Sequence, residues 1–292
     1  MAIRETSLNA PPLETADRIR LPHDRSLSWS RPLVMGVVNV TPDSFSDGGR
    51  YFDADFALAH AERLALEGAD ILDIGGESSR PGHTPVDEAE EARRALPVVR
   101  ALAGRLEIPI SIDSAKANVA AQAIAAGASI LNDVWGFQRD RDMARVAAET
   151  GAFVVLMHNR EQVDASLDII EEVLAFLSRS IEIALAAGVE ARMIALDPGF
   201  GFGKTHQQSL STVRQLRRIR ALGFPVLLGV SRKRAIGWAT RRPDPADRLI
   251  GSIACALMGV ERGADIVRVH DVAAHVEALA MRAAVIATGE AS

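Results

Sequence analysis

The chain has 292 residues, 48% of them hydrophobic, which is enough to bury one large core; α/β barrels of this length are single domains. Its formal charge of −5 argues against a general nucleic-acid binder, and it has no run of 18 apolar residues that would cross a membrane. Its one cysteine, Cys255, falls in an apolar helix pattern, excludes an internal disulfide and suits a cytoplasmic protein.

The first thirty residues mix charge with proline and lack the apolar core of a signal peptide. They read as a short N-terminal extension, 1–30, ahead of a domain spanning 31–288. From there one pattern repeats: a β-branched run, a polar loop, an amphipathic helix, then glycine. The strand candidates in chain order are 32–39, 69–76, 108–114, 129–133, 153–158, 192–199, 225–231 and 265–271. They are continuously apolar, as parallel strands covered on both faces must be. "ATRRPDPADR" (239–248) reads as a surface loop before the last helix pair.

Gly68, Gly104, Gly127, Gly151, Gly188, Gly223 and Gly263 each fall between a helix and the next strand, where a left-handed residue ends a helix. The alternation alone fits an open doubly wound sheet or a closed (β/α)8 barrel. An open sheet gathers its ligand groups at one switch point. Here Asn39, Glu77, Asp113, Asn132, His158, Asp197, Ser231 and His270 stand at nearly every strand end. Such a ring favours an α/β fold of the (β/α)8 TIM-barrel type with its site at the C-terminal mouth.

Taken singly, the tips have ordinary explanations. Asp113-Ser114 can start a helix, Asn132-Asp133 can form a turn, and Asp197-Pro198-Gly199 reads as a tight turn. Alternation puts residues i and i+2 on one side, so Arg268 and His270 form a cationic corner. Ser231 and Lys233 pair in the same way if their strand continues. "LDPGFGFGKT" (196–205) imitates a phosphate loop, but the first glycine of that motif should stand at 198, which is Pro198. Lysine occurs only at 116, 204 and 233, each soon after a strand. The segments 41–50 and 77–85, rich in Gly, Pro and Ser, are positioned to act as lids over a barrel mouth.

"MGVVNVTPDSFSDGG", "DIGGESSRPG", "IDSAKANV", "NDV", "LMH", "LDPGFGFGK", "GVSRKR" and "RVHDV" together resemble the dihydropteroate synthase family over roughly residues 31–285. The resemblance implies a TIM barrel that condenses 6-hydroxymethyl-7,8-dihydropterin pyrophosphate with 4-aminobenzoate, releasing 7,8-dihydropteroate and pyrophosphate. It implies that Asp113, Asn132, Asp197 and Lys233 hold the pterin, with Met157 packed against it; Ser231, paired with Lys233 by alternation, is a further substrate-binding candidate. Arg268, His270 and Asn39 would hold pyrophosphate, Asn39 through Mg²⁺, an ion that favours oxygen ligands. Phe45, Ser79, Arg80, Pro81 and Phe202 would form the aminobenzoate pocket, and the family implies a homodimer.

Some positions depart from the family pattern. Ser79 and Ser114 stand where threonine is common, Arg234 where serine is, and "MHNREQ" lacks the usual glycine-bearing continuation. Two rival readings share the pterin anchors: a folate–corrinoid methyltransferase and a catalytically silent pterin-binding protein. The methyltransferase has no need of the 41–50 lid or the cationic corner. A silent binder would be expected to have lost some of Asn39, Asp113, Lys233 or His270.

Overall fold

The computed structural model describes residues 18–40, 50–77 and 85–288. The first described segment is an antiparallel hairpin of β1 (Arg18–Arg20) and β2 (Ser26–Ser28), turning through left-handed His23 and Asp24. Eight strands follow: β3 (Leu33–Asn39), β4 (Ile71–Gly75), β5 (Ile110–Asp113), β6 (Ile130–Asp133), β7 (Phe153–Met157), β8 (Ile194–Asp197), β9 (Leu227–Leu228) and β10 (Ile266–Val269). They form one parallel sheet in the order β8-β7-β6-β5-β4-β3-β10-β9. A parallel bridge between Leu196 and Val226 joins its two edges and completes the (β/α)8 ring.

The helices around the ring are α1 (Arg50–Leu66), α2 (Glu88–Ala103), α3 (Ala117–Ala125), α4 (Met143–Thr150), α5 (Ile169–Ala186), α6 (His206–Arg214), α7 (Leu216–Arg220), α8 (Arg234–Thr240), α9 (Leu249–Val260) and α10 (Val272–Ala287). Local chemistry sets several starts. The Asp87 carboxylate accepts from Glu90 N–H at α2, Asp168 does the same at α5, and Thr205 with Gln208 makes a capping box at α6. Strand interiors such as Val154, Ile194 and Val267 are fully buried, since barrel side chains and helices cover both faces of the sheet. No helix among the described residues is long and apolar enough to cross a membrane.

All eight predicted strands are present, trimmed at their ends. The 225–231 candidate shortens most, to Leu227–Leu228. Arg232 has φ 56, so the extended run does not carry the alternation from Ser231 to Lys233. Six of the seven junction glycines have positive φ, but Gly104 has φ −81 because α2 runs on into a right-handed turn at Leu102–Leu106. The 239–248 segment is part helix: α8 reaches Thr240, and a 3-10 turn spans Pro245–Arg248.

Part of the expected extension belongs to the folded unit. Ile19, Leu21, Leu27 and Trp29 are buried in the main core cluster. The Trp29 ring lies 6.0 Å from Phe153 at the start of β7. Ser129 Oγ donates to the Pro22 carbonyl at 3.0 Å, and the Arg25 guanidinium donates to the carbonyls of Ala103 and Leu106. These contacts lie where strands begin, so the hairpin closes the base of the barrel, opposite the mouth.

The indole N–H of Trp29 is buried without a partner. Trp29→Ala should therefore lose about 3 kcal/mol through the cavity it leaves. Trp29→Phe should lose much less, since it also removes an unsatisfied donor. Urea unfolding midpoints of the two variants test this, and equal losses would contradict it.

Candidate active site

The register of the barrel builds one rim from distant parts of the chain. Asn39 stands opposite Gly75, Gly75 opposite Asp113, and Asp113 opposite Asn132, so four neighbouring strands end on one row. Met157 stands opposite Asp197 on β7 and β8. A single pocket takes Asp113, Asn132, Met157, Asp197, Phe202, Lys233 and Arg268, with Gly229 on its wall. A Cβ at Gly229 would meet the Arg268 side chain at 3.8 Å and Asp197 Oδ2 at 4.0 Å. The missing side chain leaves room between those two charged groups.

The ordinary roles of the tips fall mostly to their neighbours. Ser114 Oγ, not Asp113, accepts from Lys116 N–H ahead of α3. Asp133 takes the turn, accepting from the N–H groups of Trp135 and Phe137, while Asn132 faces the pocket. Asp197 does both: Oδ1 accepts from Gly199 N–H at 2.7 Å, and Oδ2 lies on the Gly229 side.

Charge in the pocket is tightly organised. Arg268 donates from Nε to Asp73 Oδ2 at 2.6 Å and from a terminal nitrogen to Asp113 Oδ2 at 2.8 Å. Asn132 Nδ2 donates to the same Asp73 oxygen at 3.1 Å. The Lys233 ammonium sits 4.0 Å from the centre of the Phe202 ring, a cation–π contact. Burial pushes the Asp113 carboxyl up to about 7, with Arg268 and Lys233 opposing the shift and Asp73 and Glu91 adding to it. Burial likewise raises Asp197 to about 6, against the Gly199 N–H bond and Lys233.

Three residues named from sequence lie beside this pocket, not on its lining. His270 Nδ1 and Ser231 Oγ are 3.0 Å apart, and the His270 N–H also meets Ser231 Oγ at 3.2 Å. Burial first, then the nearby Arg268 charge, lowers His270 to about 3. The expected doubly cationic corner is therefore an arginine beside a neutral imidazole at pH 7. Asn39, half-buried, ends β3, with Oδ1 3.7 Å from where a Cβ of Gly75 would stand. Phe45, Ser79, Arg80 and Pro81, with most of both lid segments, lie outside the described residues.

Two further expected tips face elsewhere. Glu77 pairs with Lys116, which also binds the buried Glu91. His158, next to Met157, points to the opposite side of β7 and packs edge-on against Phe176 of α5. It is there that the glycine-rich stretch finds its anchor. Lys204 Nζ, buried, lies 2.7 Å from His158 Nδ1 and donates to the carbonyls of Gly199 and Phe202. The lysine turns inward to pin its own loop and presents nothing to a phosphate. Gly199, at φ 65, is pressed so close to the His158 carbonyl that no Cβ fits. Asp73, Lys204 and His158 are the supporting residues to which sequence assigned no such role.

Comparison with known proteins agrees with this geometry. The model of the pterin-binding enzyme family matches residues 35–270. The dihydropteroate synthase of Clostridium beijerinckii is 48% identical over 243 residues, covering 83% of this chain and 90% of that protein. The dihydropteroate synthase structure from Clostridium difficile, obtained with pteroic acid, matches with a TM-score of 0.84 and 47% identity over 87% of this chain and 97% of its own. The Xanthomonas albilineans dihydropteroate synthase structure with 4-aminobenzoic acid matches with a TM-score of 0.89 and 46% identity, over 93% and 99% of the two chains. The chain thus belongs to the pterin-binding enzymes, built on a TIM barrel. Within them its family is the dihydropteroate synthases, which are transferases. Neither the methyltransferase nor the silent-binder reading is favoured by these relatives.

Burial, then the Lys204 charge, lowers the His158 pKa to about 2. Below the unfolded value of about 6.5, the unfolded chain takes up a proton that the folded chain refuses, so stability falls as pH drops. His158→Asn, which keeps an acceptor for Lys204, should remove about 2 kcal/mol of that fall between about pH 6.5 and 4.5. Urea titrations at several pH values measure it, and parallel stability curves for the two proteins would refute it.

Proposed function

We propose that the chain condenses 6-hydroxymethyl-7,8-dihydropterin pyrophosphate with 4-aminobenzoate to give 7,8-dihydropteroate and pyrophosphate. The observation that carries this reading is the single pocket in which Asp113, Asn132 and Asp197 converge beside Lys233 and Arg268. Fixed donors and acceptors at the ends of β5, β6 and β8 suit a flat, nitrogen-rich ring, and Met157 offers it an apolar face. The flexible thioether of Met157 packs well against such a ring.

An aryl amine is a weak nucleophile, so ionisation precedes attack. The C–O bond of the substrate breaks, its electron pair leaves with pyrophosphate, and the ring delocalises the cation on its exocyclic methylene. Asp113 stabilises that cation by charge. Arg268 stabilises the leaving group, and preorganised charges of this kind usually supply the largest share of catalysis. The amine lone pair then forms the C–N bond, and the product ammonium loses its proton to solvent.

His270 serves as a neutral donor. Its backbone N–H donates to Ser231 Oγ, which also lies within hydrogen-bond distance of Nδ1 and so holds the ring in place. Phe202, on the pocket wall, flanks the aminobenzoate side.

Among the described residues no cluster of three or more His, Cys, Asp or Glu side chains suits a metal. The donor set still fits Mg²⁺, which keeps most of its waters and takes oxygen from phosphates and a single protein carbonyl such as Asn39 Oδ1. Bound there, the ion would neutralise charge on the departing pyrophosphate. The buried free thiol of Cys255 fits the cytoplasm as its compartment.

The homodimer has a suitable face. Ile250 (82% exposed) and Met258 on α9, with Met281, Val285 and Ile286 on α10, line two helices packed side by side. Apolar exposure on this scale marks an interaction surface, and a second copy of the chain is its occupant. Ile250→Glu should turn a dimer into a monomer in sedimentation velocity, and its unfolding midpoint should no longer rise with protein concentration as that of a dimer does. A dimer that survives this change would place the interface elsewhere.

The activity is tested with pure protein, Mg²⁺, the pterin pyrophosphate and 4-aminobenzoate, following pyrophosphate release. Release only with the amine present supports the synthase; none under any condition overturns it. Asp113→Asn should cut turnover roughly 100-fold or more with the fold intact. Near-normal turnover in that variant would remove Asp113 from cation stabilisation.

A further inference from the structure

Asp73 stands in the middle of β4, fully buried and off the pocket lining. Its Oδ2 accepts from Arg268 Nε on β10 and from Asn132 Nδ2 on β6. Each partner lies two strands away, on opposite sides of β4. One oxygen thus ties across the barrel interior the residue aimed at the leaving group and a residue of the pterin pocket.

The geometry of arginine makes the Nε bond decisive. The guanidinium is a rigid planar fork, so fixing Nε fixes the direction of both terminal nitrogens. The other carboxylate on this guanidinium, Asp113, lines the pocket and is available to a ligand, whereas Asp73 is sealed from it. A buried ion pair is often no more stabilising than packed hydrophobic groups. Placing a carboxylate at that position in an otherwise apolar strand therefore calls for a further reason.

We propose that Asp73 is a positioning residue for the reaction, holding Arg268 and Asn132 in one frame so that the guanidinium keeps its aim when substrate engages Asp113. The proposal rests on the pterin-condensing reading above and adds a residue that never touches substrate. Asp73 also acts on Asp113 through charge. The groups facing Asp113 are Arg268 from β10, Lys233 after β9, Asp73 from β4 and Glu91 from α2. Removing the Asp73 charge takes away one of the two neighbours that raise Asp113, so its pKa falls.

The test is Asp73→Asn, nearly isosteric, in the full chain. Turnover should drop at least about tenfold, as for a misaimed catalytic group. KM for 4-aminobenzoate should hold, and the acid limb of the kcat profile should move to lower pH. Original turnover in a folded variant overturns the proposal. So does a loss of turnover with an unmoved acid limb, because that is the signature of a merely structural residue.

Should the variant not fold, the unsubstituted protein decides. The Arg268 Nε–H, assigned in nitrogen-15 spectra by its loss in Arg268→Lys, should stay protected from solvent exchange with and without inorganic pyrophosphate. Rapid exchange once pyrophosphate is added overturns the proposal. Absence of any turnover in the unsubstituted protein would instead sink the functional reading, while the exchange measurement still judges Asp73.

Discussion

The site depends on how buried charge is balanced in the barrel mouth. Asp73, Asp113 and Asp197 face two cations, Arg268 and Lys233, in a region largely closed to water. Asp113 also faces the buried Glu91, and Asp197 is only partly offset by Lys233, Arg268 and Lys204. Desolvation makes buried carboxylates costly, so Asp113 and Asp197 are pushed up toward neutrality despite their cations. A ligand rich in N–H donors, or one that develops positive charge, relieves the imbalance. The mouth is poorly balanced alone and better balanced around a cation, which is the condition the proposed ionisation creates.

Much of this could be read from the amino-acid sequence. Continuous apolar runs, each closed by a polar tip, implied the barrel and its mouth, because parallel strands under helices have no polar face. Asp113, Asn132 and Asp197 were identifiable as polar residues near the ends of such runs. Asp73 was not, since it sits inside its run and its neighbour on the same side, Gly75, has no side chain to extend the pattern. The available signal was physical: a carboxylate in a fully buried strand must have partners. His158 was overcounted as a mouth residue because Met157 and His158 are consecutive and a strand sends them to opposite faces. The pairing of Ser231 with Lys233 failed at Arg232, whose left-handed backbone no apolar pattern announces. His270 illustrates a different limit, since its charge depends on burial and on Arg268, and neither is visible in a dipeptide of the chain.

The stretch 196–205 shows how one composition can serve two kinds of loop. In a phosphate loop the lysine reaches outward and backbone N–H groups cradle an anion. Here three acceptors draw the ammonium inward, and burial lowers Lys204 to about 7. Glycine in both cases permits close approach of backbone, in one to a ligand and in the other to the loop's own support. Phe202 is thereby fixed under Lys233, so an internal anchor sets the position of a pocket wall.

The hairpin at the base bears on how the chain assembles as it is synthesised. It emerges early, yet the His23 ring bonds the Ile124 carbonyl and Ser129 Oγ bonds the Pro22 carbonyl, across more than a hundred positions. Its apolar side also rests on Phe153. Apart from the Arg25 bonds to Ala103 and Leu106, the nascent hairpin finds its docking partners only once about half the chain has left the ribosome. Until then Leu21, Leu27 and Trp29 travel uncovered, and seating them is a late, vectorially delayed event.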